Sequence, residues 1–475
     1  MKVLLTQPRL PTLYQKPKEP PLNLAILAAV LEQEGFRVKC LDMEARPEGE
    51  YVQLMREFKP HILGLSATTM GVLRAIEMAL QAKEMLPEIK TIIGGYGVSC
   101  DREYVMNLEH FDYGVIGEGE VTLSELCNNI REGKGCEDVK GLVWKDNGQA
   151  IVNAARLPIR DLDSLPRPNF DHFDVHSYGK SLPIFTTRGC PYNCLYCVVN
   201  KVGVRGSRAK SAKAVVDEME YYGDRYHIRI FSVVDDNFSV DRARAHAICD
   251  LILERDLGIQ FLLGQGIRAD NIDRELFIKM KQAGCPIVAM GVETTNPETM
   301  KALRRGIRLE RIAKSIEDAR SAGLIVKTFN LIGGPHETYQ DVMNTIKFNE
   351  QMKVDIPGYG VYQPLPGSDL AEWVKNDEQV SLNPNYSPYT WSNPEGHLGP
   401  DDIPFETDYF SFEERFKAYK VCLSSVNRHL VKGFIDRHLG RFSPLVYPLA
   451  LNRPAQNMAR KLYLKLLRGR IEPWD

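Results

Sequence analysis

Three cysteines fall within eight positions of the segment TTRGCPYNCLYCVVN, residues 186–200: Cys190, Cys194 and Cys197. The other seven of the chain's ten cysteines are scattered without a framework, so the C-x3-C-x2-C spacing stands apart. Three thiolates suit two kinds of centre. One is Zn²⁺ with water as the fourth ligand, although a structural zinc site ordinarily takes four protein ligands and no His or further Cys adjoins the segment. The other is a 4Fe–4S cluster with three irons on Cys and the fourth open to a chelating group from outside. A disulfide framework would need an even count and an oxidising compartment. The open cluster is the preferred centre.

Such a loop needs a scaffold, and the sequence supplies two. Residues 1–150 alternate apolar strand-length runs (KVLLTQ, RVKCLDME, HILGLSA, KTIIGGYG, DYGVIGEGE) with helical patterns, among them one presenting Leu24, Leu27, Ala28 and Leu31 and stopped at Gly35. Continuous apolar strands between helices imply a parallel sheet covered on both faces. Residues 151–180 are proline-rich and aperiodic and read as a linker. From 181 to 380 the alternation resumes with LPIFTT, IRIFSVV, IQFLLGQ, PIVAMGV, IVKTFNLI and GYGVYQ. Six strand–helix units predict a partial (β/α)6 barrel, with the cysteines at the carboxyl end of its first strand, where barrels of this kind keep their chemistry. Residues 381–475 read as a mainly helical, basic extension: from 415 onward there are 13 Lys/Arg against 3 Asp/Glu.

Composition narrows the setting. With 475 residues, 44% hydrophobic, 26% charged and a net charge of −2, the chain offers no global case for a nucleic-acid partner. The start, MKVLLTQPRLPTLYQKP, has too short an apolar run for a signal peptide, and no run approaches the eighteen or so residues that span a bilayer. A cytoplasmic location is expected. In AQNMARKLYLKLLRGR, Ala459, Leu462, Tyr463 and Leu466 form one stripe and Lys461, Lys465 and Arg468 another. That pattern suits a peripheral helix on an anionic membrane, and hence a lipid substrate. It also suits a helix packed on the barrel, which is the preferred reading.

RGCPYNCLYC resembles the radical S-adenosylmethionine (SAM) signature, and the likeness runs over roughly 180–370. It implies that SAM chelates the fourth iron of the cluster, that its reductive cleavage yields a 5′-deoxyadenosyl radical, and that an external electron donor of flavodoxin or ferredoxin type is needed. Tyr196 matches the aromatic position near the adenine. SVVDDNFS, 232–239, resembles a second-strand motif in which only one of two adjacent aspartates can face the barrel; Asp236 is preferred. GVETTNPETMKALRRG places Glu293 toward the ribose or methionine moiety and Arg305 toward the carboxylate, a planar anion that a guanidinium suits. FNLIGGPHET sets Ile332 and the glycines after it against the base. His336 reads as a loop residue, and Tyr359, Tyr362 and Gln363 as packing at the barrel mouth.

HILGLSATT … TIIGGYG … YGVIGEGE is similar to the flavodoxin-like cobalamin-binding domain fused to many radical SAM proteins. The resemblance implies contacts from Ser66, Thr68, Thr69, Gly94, Gly95, Gly117 and Glu118, with glycine allowing close backbone approach. It departs from the cobalamin domains that carry Asp-x-His-x-x-Gly after the first strand: QPRLPTLYQKPKEPPLN contains no His, so the lower face of the corrin is expected to lack a histidine ligand. The second cysteine triad of methylthiotransferases is not matched by Cys40, Cys100, Cys127 and Cys136. The family resemblance implies a cobalamin-dependent enzyme that methylates an unactivated carbon of a small molecule through methylcobalamin and the 5′-deoxyadenosyl radical. A ring-forming or oxidative enzyme, akin to the anaerobic Mg-protoporphyrin cyclases, is the alternative. A non-catalytic cobalamin sensor or carrier would have no use for an open cluster.

Overall fold

The structure is a computed structural model and describes residues 1–10, 17–107, 110–202, 206–390 and 398–439. The first strands are β1 (Lys2–Gln7), β2 (Arg37–Asp42), β3 (Ile62–Ser66), β4 (Lys90–Gly94) and β5 (Tyr113–Val115), all parallel in the order β2-β1-β3-β4-β5. Between them run α1 (Leu22–Gln33), α2 (Glu48–Phe58), α3 (Val72–Met85), α4 (Tyr96–Cys100) and α5 (Arg102–Asn107), and α6 (Gly119–Glu132) follows β5. Alternation along the strands divides the core. Val3, Leu5, Ile62 and Ile92 meet Leu24, Ala28 and Leu31 of α1 and Leu126 of α6 on one face. On the other, Leu4, Leu63 and Ile93 meet Tyr51, Met55, Ala75 and Met78 of α2 and α3. Each such side chain taken from water contributes about 1.5–3 kcal/mol, which is why these strands are apolar throughout.

A hairpin unannounced by the strand reading extends this sheet: β6 (Leu142–Asp146) pairs antiparallel with β5, and β7 (Gln149–Val152) with β6. Its turn is Asn147-Gly148, with φ of 48° and 83°. These are the two left-handed residues that a two-residue turn of matching twist requires. The proline-rich segment after it is pinned to both halves of the molecule: Ile159 N–H donates to Glu118 Oε2 (2.8 Å), and the Tyr222 hydroxyl donates to Pro168 O (2.6 Å).

The second sheet is wholly parallel: β8 (Ser181–Ile184), β11 (Ile230–Val233), β12 (Gln260–Ile267), β13 (Ile287–Glu293), β14 (Ile325–Ile332) and β15 (Ile356–Val361), side by side in that order. A short antiparallel pair, β9 (Thr187–Arg188) and β10 (Arg208–Ala209), brackets the cysteine loop and α7 (Val199–Val202). Helices α8 (Ala212–Tyr226), α9 (Arg242–Glu254), α10 (Arg274–Gln282), α11 (Pro297–Ala302) with α12 (Leu309–Ser321), and α13 (Tyr339–Gln351) follow the first five of these strands, and α14 (Asp369–Asn376) follows β15 to complete the six units. Phe231, Phe261, Val288 and Val326 point outward onto Met219, Ile248, Phe277 and Ile312. Their neighbours Ile230, Leu262, Ile287, Ile325 and Ile356 point inward and plug the floor. This is the partial barrel expected.

The extension contains a two-stranded sheet of β16 (Val380–Leu382) and β17 (Phe405–Thr407), and the long α15 (Phe412–Leu439). Its residues Phe410, Ala418, Tyr419 and Cys422 pack on Ile332, Val342, Ile346 and Val361. The basic stripe at 459–468 lies outside the described residues. No helix among the described residues is long and apolar enough to cross a membrane.

Candidate functional site

The cysteine loop is held at Leu195 through both of its backbone polar groups: Leu195 N–H donates to Leu303 O (3.1 Å), and Leu370 N–H to Leu195 O (2.8 Å). Cys190, Cys194 and Cys197 are free thiols, half-buried on this one loop. Burial pushes all three up, Cys197 to about 11, against the pull of Arg268 on Cys190 and of Arg305 and Arg268 on Cys194. A bound iron cluster would reverse that direction. Among the described residues no three His, Cys, Asp or Glu side chains converge on a common ion.

Beside the loop lies a buried polar cluster. The Tyr196 hydroxyl donates to Glu293 Oε1 (3.0 Å), and Arg305 Nη1 stands 3.7 Å from the same oxygen. Glu293 sits at a register shift in β13 with φ of 64°, a strained conformation for a residue other than glycine. Burial pushes its carboxyl up, against the pull of Arg305 and the Tyr196 hydrogen bond. Arg305 Nη1 and Nη2 donate to Val292 O (3.0 Å) and Gly291 O (2.9 Å), so its full fork is not open to a ligand, while its Nε remains unpartnered. Glu293 Oε2, Thr299 Oγ1 and the Tyr362 hydroxyl are likewise buried without a partner. Tyr362 packs 5.5 Å from Tyr196, ring to ring, and both Thr299 and Tyr362 crowd Gly334. Orphaned donors and acceptors gathered beside three thiols fit a polar, zwitterionic ligand, since leaving each one bare costs about 1–3 kcal/mol.

The two aspartates after β11 divide their work. Asp235 is fully buried and accepts from the N–H groups of Thr186 and Thr187 and from the Thr186 hydroxyl, tying β11 to β8. Asp236 faces the loop and accepts from Gly189 N–H (2.7 Å). The expected side-chain contact of Ile332 is corrected: it points into the core with Val342, Ile346 and Val361, so only its backbone and the following glycines border the site. Leu331, one residue earlier, has the inward parity and packs with Tyr196 and Tyr362. Tyr359 is packing, its hydroxyl accepting from Asn349 (3.2 Å). His336 is an exposed loop residue stacked near Tyr409.

The turn after β14 has its own support. Glu337 Oε2 accepts from Gly333 N–H (2.7 Å) and Gly334 N–H (3.3 Å), and Arg415 Nη1 of α15 donates to Gly333 O (3.0 Å). Burial raises Glu337 from the ordinary 4.5 to about 7, against hydrogen bonds from Thr294 and these glycines and the charge of Arg415. The folded chain therefore keeps a proton that the unfolded chain releases, and stability falls as pH rises from 4.5 toward 7, by about 3 kcal/mol from this group. Glu337→Gln should remove that part of the slope in denaturant titrations of the cofactor-free protein at pH 5 and 7.5. Glu44, also raised to about 7, first by burial and then by Asp42, retains its own part of the slope, as does the raised Glu293.

Between the two sheets opens a cavity of about 660 Å³, bordered by both sets of strand ends. From the first sheet come Ser66, Gly94, Gly95, Tyr96, Gly117 and Glu118, and from the second Phe185, Arg188, Gly189, Val234 and Asp236. Ser66 Oγ accepts from Asn23 Nδ2 (2.8 Å). Gly95 has φ of 95°, and a Cβ there would meet Ala67 O at 2.6 Å, so strand-end packing alone demands glycine. Thr68 is exposed, Thr69 is buried in a 3₁₀ turn, and neither borders the cavity. The Glu118 carboxylate is taken up by Arg208, Ile159 N–H and Arg188 and is not open to a ligand. The described lining is largely aliphatic, with Leu22, Ile26, Leu27, Ile92 and Val115, and contains no His, Cys or Met. An apolar floor with glycine edges fits a bulky planar ligand bound without a histidine. Tyr96, Arg188 and Thr299 were not singled out from sequence.

Residues 184–348 match the model of the radical SAM superfamily, and residues 14–127 that of the B12 binding domain. An uncharacterized methyltransferase of Pyrococcus horikoshii is 28% identical over 404 residues, 83% of this chain and 87% of that protein. The anaerobic magnesium-protoporphyrin IX monomethyl ester cyclase of Rubrivivax gelatinosus is 26% identical over 76% of this chain and 67% of its own length. Among solved structures, the radical SAM methyltransferase TsrM of Kitasatospora setae, with cobalamin and a 4Fe–4S cluster bound, superposes with a TM-score of 0.74. That match covers 97% of this chain and 99% of the other at 18% identity, a likeness of fold.

Proposed function

This chain is a radical SAM protein carrying a B12-binding domain, and on that footing we propose that it methylates an unactivated carbon of a small molecule. The observation that carries the reading is the cavity into which the strand ends of both sheets open. When bound, the cluster would supply the electron that cleaves one SAM to methionine and a 5′-deoxyadenosyl radical, which becomes 5′-deoxyadenosine on taking a hydrogen atom from the substrate, and reduced cobalamin would supply the electron pair that takes a methyl cation from another, whose S–C pair stays on S-adenosylhomocysteine.

Cys190, Cys194 and Cys197 hold the cluster. Glu293 Oε2, Arg305 Nε and the Tyr362 hydroxyl, the buried atoms without partners, take the polar groups of SAM, with Tyr196 fixing the orientation of Glu293. The glycines at 333 and 334, stiffened by Glu337, border the base. Asp236 fixes the start of the cysteine loop through Gly189. On the opposite wall Ser66, Gly94, Gly95 and Gly117 edge the corrin site over an aliphatic floor. Electrons come from an external one-electron donor. The likeness to the cyclase supports a second reading, a ring-forming or oxidative radical enzyme.

Anaerobically reconstituted protein given SAM, hydroxocobalamin and a low-potential reductant should form both S-adenosylhomocysteine and 5′-deoxyadenosine. The deoxynucleoside alone would favour the ring-forming reading. Neither product would overturn both.

A further inference from the structure

Arg188 joins the two walls of the cavity. Its guanidinium stacks over Phe185, 4.5 Å from the ring centroid; Nη2 donates to Glu120 Oε1 (2.5 Å), and Nη1 stands 3.4 Å from Glu118 Oε1. Glu118 also binds Arg208 Nη1 (2.9 Å) and Nη2 (2.8 Å), so two arginines from the cysteine-loop strands balance two glutamates from the B12-binding domain. The Arg188 and Glu120 side chains are 19% and 5% exposed, little screened by salt. Glu118 and Glu120 flank Gly119 at the start of α6, on the turn whose Gly117 edges the cavity. Arg188 is followed by Gly189, held by Asp236, and then by Cys190. Arg188, the arginine next to the cysteine loop, therefore helps tie the turn that edges the proposed corrin site to the loop that carries the thiols, and it alone of the two reaches Glu120.

We infer that Arg188 is a positioning residue that sets the separation across which the methyl group of SAM passes from the barrel to the B12-binding domain. The inference rests on the methylase reading. Cleavage to 5′-deoxyadenosine is confined to the barrel and does not cross this interface. Methyl transfer does, and a misplacement of 1 Å costs such a step about a hundredfold.

Two measurements on Arg188→Gln test this. In the full-length, cofactor-free protein, hydrogen exchange should quicken together in residues 117–124 and 187–191 and stay unchanged in α8 and α9. In the reconstituted protein with SAM and hydroxocobalamin, 5′-deoxyadenosine formation should persist, while S-adenosylhomocysteine per 5′-deoxyadenosine falls by up to about a hundredfold. Arg188→Lys, which keeps the charge and loses the fork, should fall between the two. Unchanged exchange with an unchanged product ratio would overturn the assignment, and so would exchange quickened throughout the barrel. A wild-type protein that never forms S-adenosylhomocysteine would instead sink the methylase reading, a result separable from the exchange data. If Arg188→Gln does not fold, the same pair of measurements on Arg188→Lys decides the matter.

Discussion

Cys194→Ala should abolish both cluster assembly and SAM cleavage. Wild-type protein reconstituted without oxygen should carry about four irons at this site; the variant should lose them, because two thiolates cannot hold a cluster that already has one iron without a protein ligand. The loss should not come from unfolding. Position 194 lies next to the residue that anchors the loop, but that anchorage is through the backbone, Leu195 N–H to Leu303 O and Leu370 N–H to Leu195 O, and survives removal of a neighbouring thiol. The Cys194 side chain is half-buried, so its truncation belongs with the milder substitutions, about 1 kcal/mol. Far-UV circular dichroism and the denaturation midpoint of the cofactor-free variant should therefore stay near wild type while iron content and 5′-deoxyadenosine fall to background. Normal iron and normal cleavage in the variant would contradict the role given to the triad.

Much of this site was legible in sequence because its parts are local. The three cysteines, Tyr196 and the GVETTNPETMKALRRG segment carry their spacing within a few turns of chain, and the strands of both sheets announce themselves as apolar runs bounded by helices. The misreadings have physical causes. Leu331 and Ile332 are both apolar, and in a strand buried on two faces composition does not reveal which residue points inward. Glu118 stands in a glycine-rich turn that borders a ligand cavity, but its partners Arg188 and Arg208 are 70 and 90 residues away in sequence, and nothing local marks the pairing. The glycine at 95 was read as room for a ligand, whereas Ala67 already requires it. The β6–β7 hairpin had a visible signal, Asn147-Gly148 between apolar runs, that could have placed it. His336, Tyr359 and the linker behaved as ordinary packing and loop residues do.

The fate of the methyl group tests the account most directly. The aliphatic cavity floor offers no His, Cys or Met among its described residues. The aliphatic floor with Gly94, Gly95 and Gly117 at its edges would hold the corrin, and the cobalamin would supply the nucleophile that receives a methyl cation. The substrate then exchanges C–H for C–CH3, its hydrogen leaving in 5′-deoxyadenosine, and one S-adenosylhomocysteine accompanies each methylation. The decisive measurement is mass spectrometry of products after reconstituted protein is incubated, without oxygen, with methyl-deuterated SAM and an extract from a strain lacking this protein. The product should be heavier by a deuterated methyl group on carbon and form in step with both nucleoside products. A transformed substrate that carries no label, formed alongside 5′-deoxyadenosine, would contradict it and leave the ring-forming or oxidative enzyme in its place.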